Sequence, residues 1–139
     1  MLMLLDERSP LHVAVVDGDL DIFRLLLSRG ASPNVASPRK NGETALAAAS
    51  RLSREIMFKE LLDHGADPNQ ASSVAVVSAA AGGNIKAMLA LINRGANIHE
   101  QEGVPGKALH LAARNLQTDM VKLLLKHGVD ANSFGGRFG

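Results

Sequence analysis

Cysteine, tryptophan and tyrosine are absent from this 139-residue chain, and its only aromatic side chains are Phe23, Phe58, Phe134 and Phe138. Without cysteine there is no disulfide framework, no thiol nucleophile and no thiolate zinc site, and a reducing compartment is permitted. The shortage of aromatics, set against 20 alanines and 20 leucines, excludes most sandwich and barrel designs and favours helices with a small-residue core. A strong charge of one sign is missing too. The 15 Lys and Arg are balanced by 14 Asp and Glu, so neither nucleic acid nor anionic lipid is an expected partner. No apolar run approaches the ~18 residues that span a bilayer. Met1-Leu2-Met3-Leu4-Leu5 stops at Asp6-Glu7 without a basic segment before it, which argues against a signal peptide, and there is no Asn-x-Ser/Thr sequon. The expectation is a soluble chain of the cytoplasm, or of the nucleus, that recognises its partners locally.

What is present is a period. Leu25-Leu26-Leu27-Ser28-Arg29-Gly30-Ala31 returns as Glu60-Leu61-Leu62-Asp63-His64-Gly65-Ala66, as Ala90-Leu91-Ile92-Asn93-Arg94-Gly95-Ala96 and as Leu123-Leu124-Leu125-Lys126-His127-Gly128-Val129. These glycines are 35, 30 and 33 residues apart, yet each follows an apolar residue (Leu11, Leu46, Val76, Leu109) by 19 positions. Units of fixed length are therefore joined by variable loops. Each unit reads as two helices. The first is short and alanine-rich, with Ser9-Pro10 and Thr44 as N-terminal caps. The second has one apolar face, as in Ile22, Phe23, Leu26 and Leu27, and ends at a glycine suited to the left-handed conformation. Gly18 and Gly83 mark the turn between helices in the first and third units. Ser53 and Leu116 stand there in the others, which leads us to expect Asn115 to take the turn in the fourth.

Together these motifs make the chain resemble the ankyrin-repeat family. The Thr-Pro-Leu-His-x-Ala signature stands as Ser9-Pro10-Leu11-His12-Val13-Ala14, as Thr44-Ala45-Leu46-Ala47-Ala48-Ala49, and as Lys107-Ala108-Leu109-His110-Leu111-Ala112. The Gly-Ala-Asp-x-Asn ending stands as Gly30-Ala31-Ser32-Pro33-Asn34, Gly65-Ala66-Asp67-Pro68-Asn69, Gly95-Ala96-Asn97-Ile98-His99 and Gly128-Val129-Asp130-Ala131-Asn132. The resemblance implies an all-α solenoid of helix-turn-helix units with short β-hairpin or loop fingers. Its repeats fall at about 7–36, 42–71, 72–101 and 105–134, and 135–139 opens a truncated further unit. Stacked repeats bury apolar faces only against neighbours, so Leu111, Leu123 and Leu124 are expected to be under-covered and the chain to be a piece of a longer array. The third unit lacks the signature, and Ser73 is expected to cap its first helix. Gly103-Val104-Pro105-Gly106-Lys107 suggests an irregular finger before the fourth.

Chemistry-bearing residues mostly read as structural. The resemblance makes His12 and His110 ties between the first helix and the finger backbone. His64 and His127 precede the helix-closing glycines, where a cation meets the helix dipole, and His99 stands where other units have Asn. His-x-x-Asp occurs once each in the second and fourth units, as His64–Asp67 and His127–Asp130, without converging ligands, so no metal site is expected. Asp17, Asp19 and Asp21 read as acidic residues at a helix N-terminus. Gly103 to Lys107 fails the phosphate-loop spacing, and no nucleophile elbow or carboxylate pair occurs. No enzyme activity and no cofactor are expected.

What the resemblance implies instead is a protein–protein interaction module that binds through a concave face and its finger loops. Mapped onto this chain, the partner-reading positions are Arg39, Lys40, Asn41, Glu43, Arg51, Leu52, Ser73, Gln101, Glu102, Arg114 and Asn115. Arg51 and Arg114 lead, since arginine is favoured at interface hot spots. Reversing both charges is expected to abolish partner capture and leave melting unchanged. Residues 1–34 carry three basic and five acidic side chains and residues 102–139 five and three, a gradient that could orient an elongated partner. The alternatives are a targeting or sensor segment of a larger receptor or enzyme, and a stand-alone inhibitor acting by occlusion. A monomer is expected, with end-to-end association open to it.

Overall fold

A computed structural model describes residues 8–36, 42–101 and 104–133, with 71–73 described as backbone alone. Among them are eight helices in four pairs: α1 (Pro10–Asp17) and α2 (Leu20–Ser28), α3 (Ala45–Arg51) and α4 (Glu55–Asp63), α5 (Gln70–Gly82) and α6 (Ile85–Asn93), α7 (Lys107–Arg114) and α8 (Thr118–Lys126). Each pair packs on itself, and the first helices stack in the order α1, α3, α5, α7. Small side chains let them approach closely. Ala45, Ala47, Ala48 and Ala49 of α3 and Ala75, Ala79 and Ala80 of α5 are buried. The second helices supply bulk through Phe23, Phe58, Leu61, Met88, Leu91, Met120 and Leu124.

Caps set the helix starts. Ser9 Oγ accepts from the His12 amide at 3.1 Å, Asp19 Oδ1 from Ile22 at 3.0 Å, Thr44 Oγ1 from Ala47 at 3.1 Å and Asn84 Oδ1 from Ala87 at 3.1 Å. The cap read at Ser73 is corrected. Helix α5 already begins at Gln70, behind Asn69 as an N-cap residue that makes no side-chain cap hydrogen bond, so Ser73 lies within its first turns and does not cap it. No glycine or proline interrupts 69–73, so the helix extends backward and takes the place of a finger.

The finger before α7 is also a correction, because it is the most regular one described. Strands β1 (Glu100–Gln101) and β2 (Val104–Pro105) pair antiparallel, Glu100 opposite Pro105 and Gln101 opposite Val104. The finger before α3 shows a single bridge, Ala36 to Thr44. Nor does Asn115 take the inter-helix turn. Its φ is −93°, whereas Leu116 has φ 59° and Ser53 has φ 56°. Leu116 is 86% exposed, so the strained residue has no burial to offset its cost of about 1–2 kcal/mol. Leu124, expected to be under-covered, is fully buried, while Leu111 and Leu123 are half-buried.

Candidate functional site

Four stacked first helices bring equivalent positions into one row. Val16, Arg51, Ala81 and Arg114 each stand 14 residues before a helix-closing glycine. Arg51 and Arg114 are the last residues of α3 and α7, and Leu52 and Asn115 follow them as C-caps. The structure thus brings these four expected partner-reading residues to the same end of the helix stack.

Their availability differs. Arg114 is exposed and forms no ion pair with any described residue. Arg51, in contrast, donates from Nε to Glu43 Oε1 at 2.8 Å and from Nη2 to Oε2 at 3.3 Å. The same carboxylate lies 2.9 Å from Nε2 of His12, which is 1% exposed. Burial would raise the Glu43 carboxyl, but hydrogen bonds from His12 and Arg51, with their charges, overcome it and hold the group down at about 2. An ionised carboxylate only accepts, so the proton sits on His12 Nε2, and buried Nδ1 has no partner. Two expectations change as a result. Glu43 is a buried joint between α1 and α3, with no carboxylate left for a partner. His12 is tied to that carboxylate and not to finger backbone. Reversing Arg51 would set two carboxylates against each other, so melting would not stay unchanged.

Gln101 is likewise committed inward. Its Oε1 accepts from the Ala108 amide at 2.8 Å, its Nε2 donates to Asn97 O at 3.0 Å, and the residue is 1% exposed. It supplies the cap that Gly106, at the start of α7, has no side chain to make. Asn115 Nδ2 donates to Ala81 O at 3.0 Å, closing the C-terminus of α5. Asn84 does this for α3 through Ser50 O at 3.2 Å, and Arg54 for α1 through Val15 O at 3.2 Å and Val16 O at 2.9 Å. Each later pair therefore caps the first helix of the pair before it, Arg54 and Asn84 from 11 residues before a helix-closing glycine and Asn115 from 13. Arg39, Lys40, Asn41 and Glu102 lie outside the described residues, as do 135–139, and the Ser73 side chain is not described.

Asparagines carry a second series of ties. Asn34 Nδ2 donates to Gly65 O at 3.1 Å while its Oδ1 accepts from the Asp67 amide at 2.7 Å. Asn69 repeats this on Gly95 O at 3.1 Å and the Asn97 amide at 2.8 Å. At the next joint the residue is His99, which makes no such pair among the described residues, and a crevice of about 400 Å³ opens beside it against Gly128 and Asp130. His64 and His127 sit at helix ends as expected, each donating from Nδ1 to the carbonyl four residues back, Glu60 at 2.8 Å and Leu123 at 2.9 Å. His110 is half-buried on α7. Among the described residues no three His, Asp or Glu side chains converge on a point that could hold a metal, and no helix is long and apolar enough to cross a membrane.

Comparison with known proteins agrees with this architecture. The family model "Ankyrin repeats (3 copies)" matches residues 2–72 and 73–137. The chain is 32% identical over 135 residues to B-cell lymphoma 3 protein homolog of Mus musculus, covering 91% of this chain and 30% of that protein. It is 32% identical over 125 residues to potassium channel AKT2/3 of Arabidopsis thaliana, 88% of this chain and 15% of the channel. It is 36% identical over 93 residues to neurogenic locus notch homolog protein 1 of Danio rerio, 65% of this chain and 4% of that protein. The chain thus spans less than a third of the length of each of these relatives. Signature, stacked helix pairs and family match coincide over nearly every residue, and the chain belongs to the ankyrin-repeat family, whose repeats are in general protein–protein interaction modules.

Proposed function

We propose that this chain is a non-catalytic module that holds a protein partner along the ends of its first helices and the adjoining fingers. The observation that supports it is Arg114, an exposed guanidinium at the end of α7 that no described carboxylate neutralises, in one row with Ala81, Arg51 and Val16. A free arginine next to small and apolar side chains suits an acidic or hydrogen-bonding group of a partner. Leu52 adds a half-buried apolar contact, and the Arg51 side chain stays 44% exposed while it serves Glu43. The finger residues Arg39, Lys40, Asn41 and Glu102 complete the proposed surface. Glu43 and Gln101 support it from within, and exposed Asn115 belongs to the row itself. No cofactor, metal, nucleic acid or membrane enters this reading.

The test is Arg114→Glu in capture of the partner from source-cell lysate, beside wild type and a melting curve. Capture should fall at least tenfold while the melting temperature stays within the range of ordinary surface substitutions. Undiminished capture would overturn the assignment. Because the relatives carry such arrays as a minor part of their length, a second reading makes the module the partner-binding segment of a larger receptor or enzyme.

A further inference from the structure

At each joint the residue four places after one helix-closing glycine meets the loop that follows the next. Asn34 and Asn69 do so with a carboxamide, whose Nδ2 donates to the glycine carbonyl and whose Oδ1 accepts from the amide two residues on, at 2.7 to 3.1 Å. At the third joint the corresponding groups are Gly128 O and the Asp130 amide, and neither has a hydrogen-bond partner among the described residues.

The loop that presents them is the same in all three places. Gly65, Gly95 and Gly128 take φ of 91°, 85° and 88°, and their amides close the helix on Leu62 O, Ile92 O and Leu125 O at 3.1, 3.0 and 3.0 Å. Asp67, Asn97 and Asp130 each accept through Oδ1 from the amide two residues further on, at 2.8, 3.0 and 2.9 Å. The acceptor and donor of the third joint are therefore held as they are where an amide is seated. His99 stands in the amide's position, exposed, with Cε1 beside Gly128 and with no bond to either group. The crevice of about 400 Å³ at this joint has room for a carboxamide, and Glu100 and Asp130 are among the residues that line it.

We propose that this crevice is a docking site for an asparagine side chain of a partner segment, which supplies from outside the carboxamide that position 99 lacks. The sister joints name the occupant: a primary carboxamide offers a donor and an acceptor side by side in one plane, and that group fills the same pair of backbone partners twice in this chain. An aspartate in its place has no hydrogen to give to Gly128 O and is repelled by Glu100 and Asp130, and a lysine cannot accept from the Asp130 amide. The site lies at the closing loops of the third and fourth pairs, away from the row of first-helix ends, and does not depend on what that row binds.

The probe is the tripeptide Ac-Ala-Asn-Ala-NHMe, which carries one primary amide, and its control has aspartate for asparagine. Each is titrated into the 15N-labelled chain while the Asp130 amide resonance is followed, in wild type, His99→Asn, His99→Ala and Arg114→Glu. Two neutral hydrogen bonds should give a Kd on the order of millimolar. His99→Asn supplies its own amide, so its Asp130 resonance should be moved before any peptide is added and the peptide should bind about tenfold more weakly or worse. His99→Ala leaves both backbone groups open and should bind within about threefold of wild type, as should Arg114→Glu. An Asp130 resonance unmoved at about 50 mM peptide, equal binding of the aspartate peptide, or undiminished binding by His99→Asn would overturn the proposal. Should His99→Asn fail to fold, the contrast between the two peptides at Asp130, in wild type and His99→Ala, decides it. Loss of partner capture by Arg114→Glu with this titration intact separates the site from the first-helix row.

Discussion

The joint between the first two helix pairs and the joint between the last two are built on the same backbone plan but joined by different chemistry. At the first, Glu43 receives His12 and Arg51, Asn34 ties to the next pair through two hydrogen bonds, and Arg24 forks onto Glu60 at 3.0 and 2.8 Å across the second helices. At the last, His99 breaks the asparagine series, Leu116 is strained and exposed, and no ion pair joins α6 to α8 among the described residues. Across it stand apolar burial of Met88, Met120 and Leu124, the Gln101 bond to the Ala108 amide and the Asn115 cap. In a stack where each unit touches only its neighbours, stability is set joint by joint, so the two ends can differ in strength without any change of fold.

The largest expected effect weakens the strong joint. Glu43→Ala leaves buried His12 without its carboxylate and frees Arg51, and should cost about 2–3 kcal/mol in urea unfolding. Glu43→Gln should retain packing while removing the charge. Because the native carboxyl sits at about 2 against an ordinary 4.5, its contribution is complete above pH about 4.5 and is lost as the pH falls through about 2. The gap in unfolding free energy between wild type and Glu43→Gln should therefore be constant at neutral pH and close on acidification; a gap independent of pH over that range would show the ionic joint to be idle.

The weak joint can be strengthened. His99→Asn should recreate the pair of hydrogen bonds seen at Asn34 and Asn69, adding about 1 kcal/mol by urea unfolding, and no gain would mean that the third joint is spaced too widely for the series. Smallest is Leu116→Gly, which relieves a left-handed leucine that buries almost nothing. After the greater freedom of glycine in the unfolded chain is counted, it should add about 0.5 kcal/mol, read as a small rise in Tm.

Much of this was legible before any coordinates. The 19-residue offset, the closing glycines and the caps at Ser9 and Thr44 required only local pattern, because a cap and a helix face are decided within a few residues. The roles of Glu43, Gln101 and Asn115 were not, since each depends on which side chain or backbone group a neighbouring turn or pair presents at about 3 Å. Their positions in the motif suggested exposed readers; burial makes Glu43 and Gln101 joints, whereas Asn115 stays exposed while its amide holds Ala81 O. The start of α5 was missed because a family signature was sought where an uninterrupted helical run stands.

The asparagine series has a mechanical meaning. Tension applied along the stack passes through every joint in turn, so all carry the same force and the least bonded yields first. With imidazole in place of the amide at position 99, the last joint is the one without this tie, while the first three pairs are laced by Asn34 and Asn69.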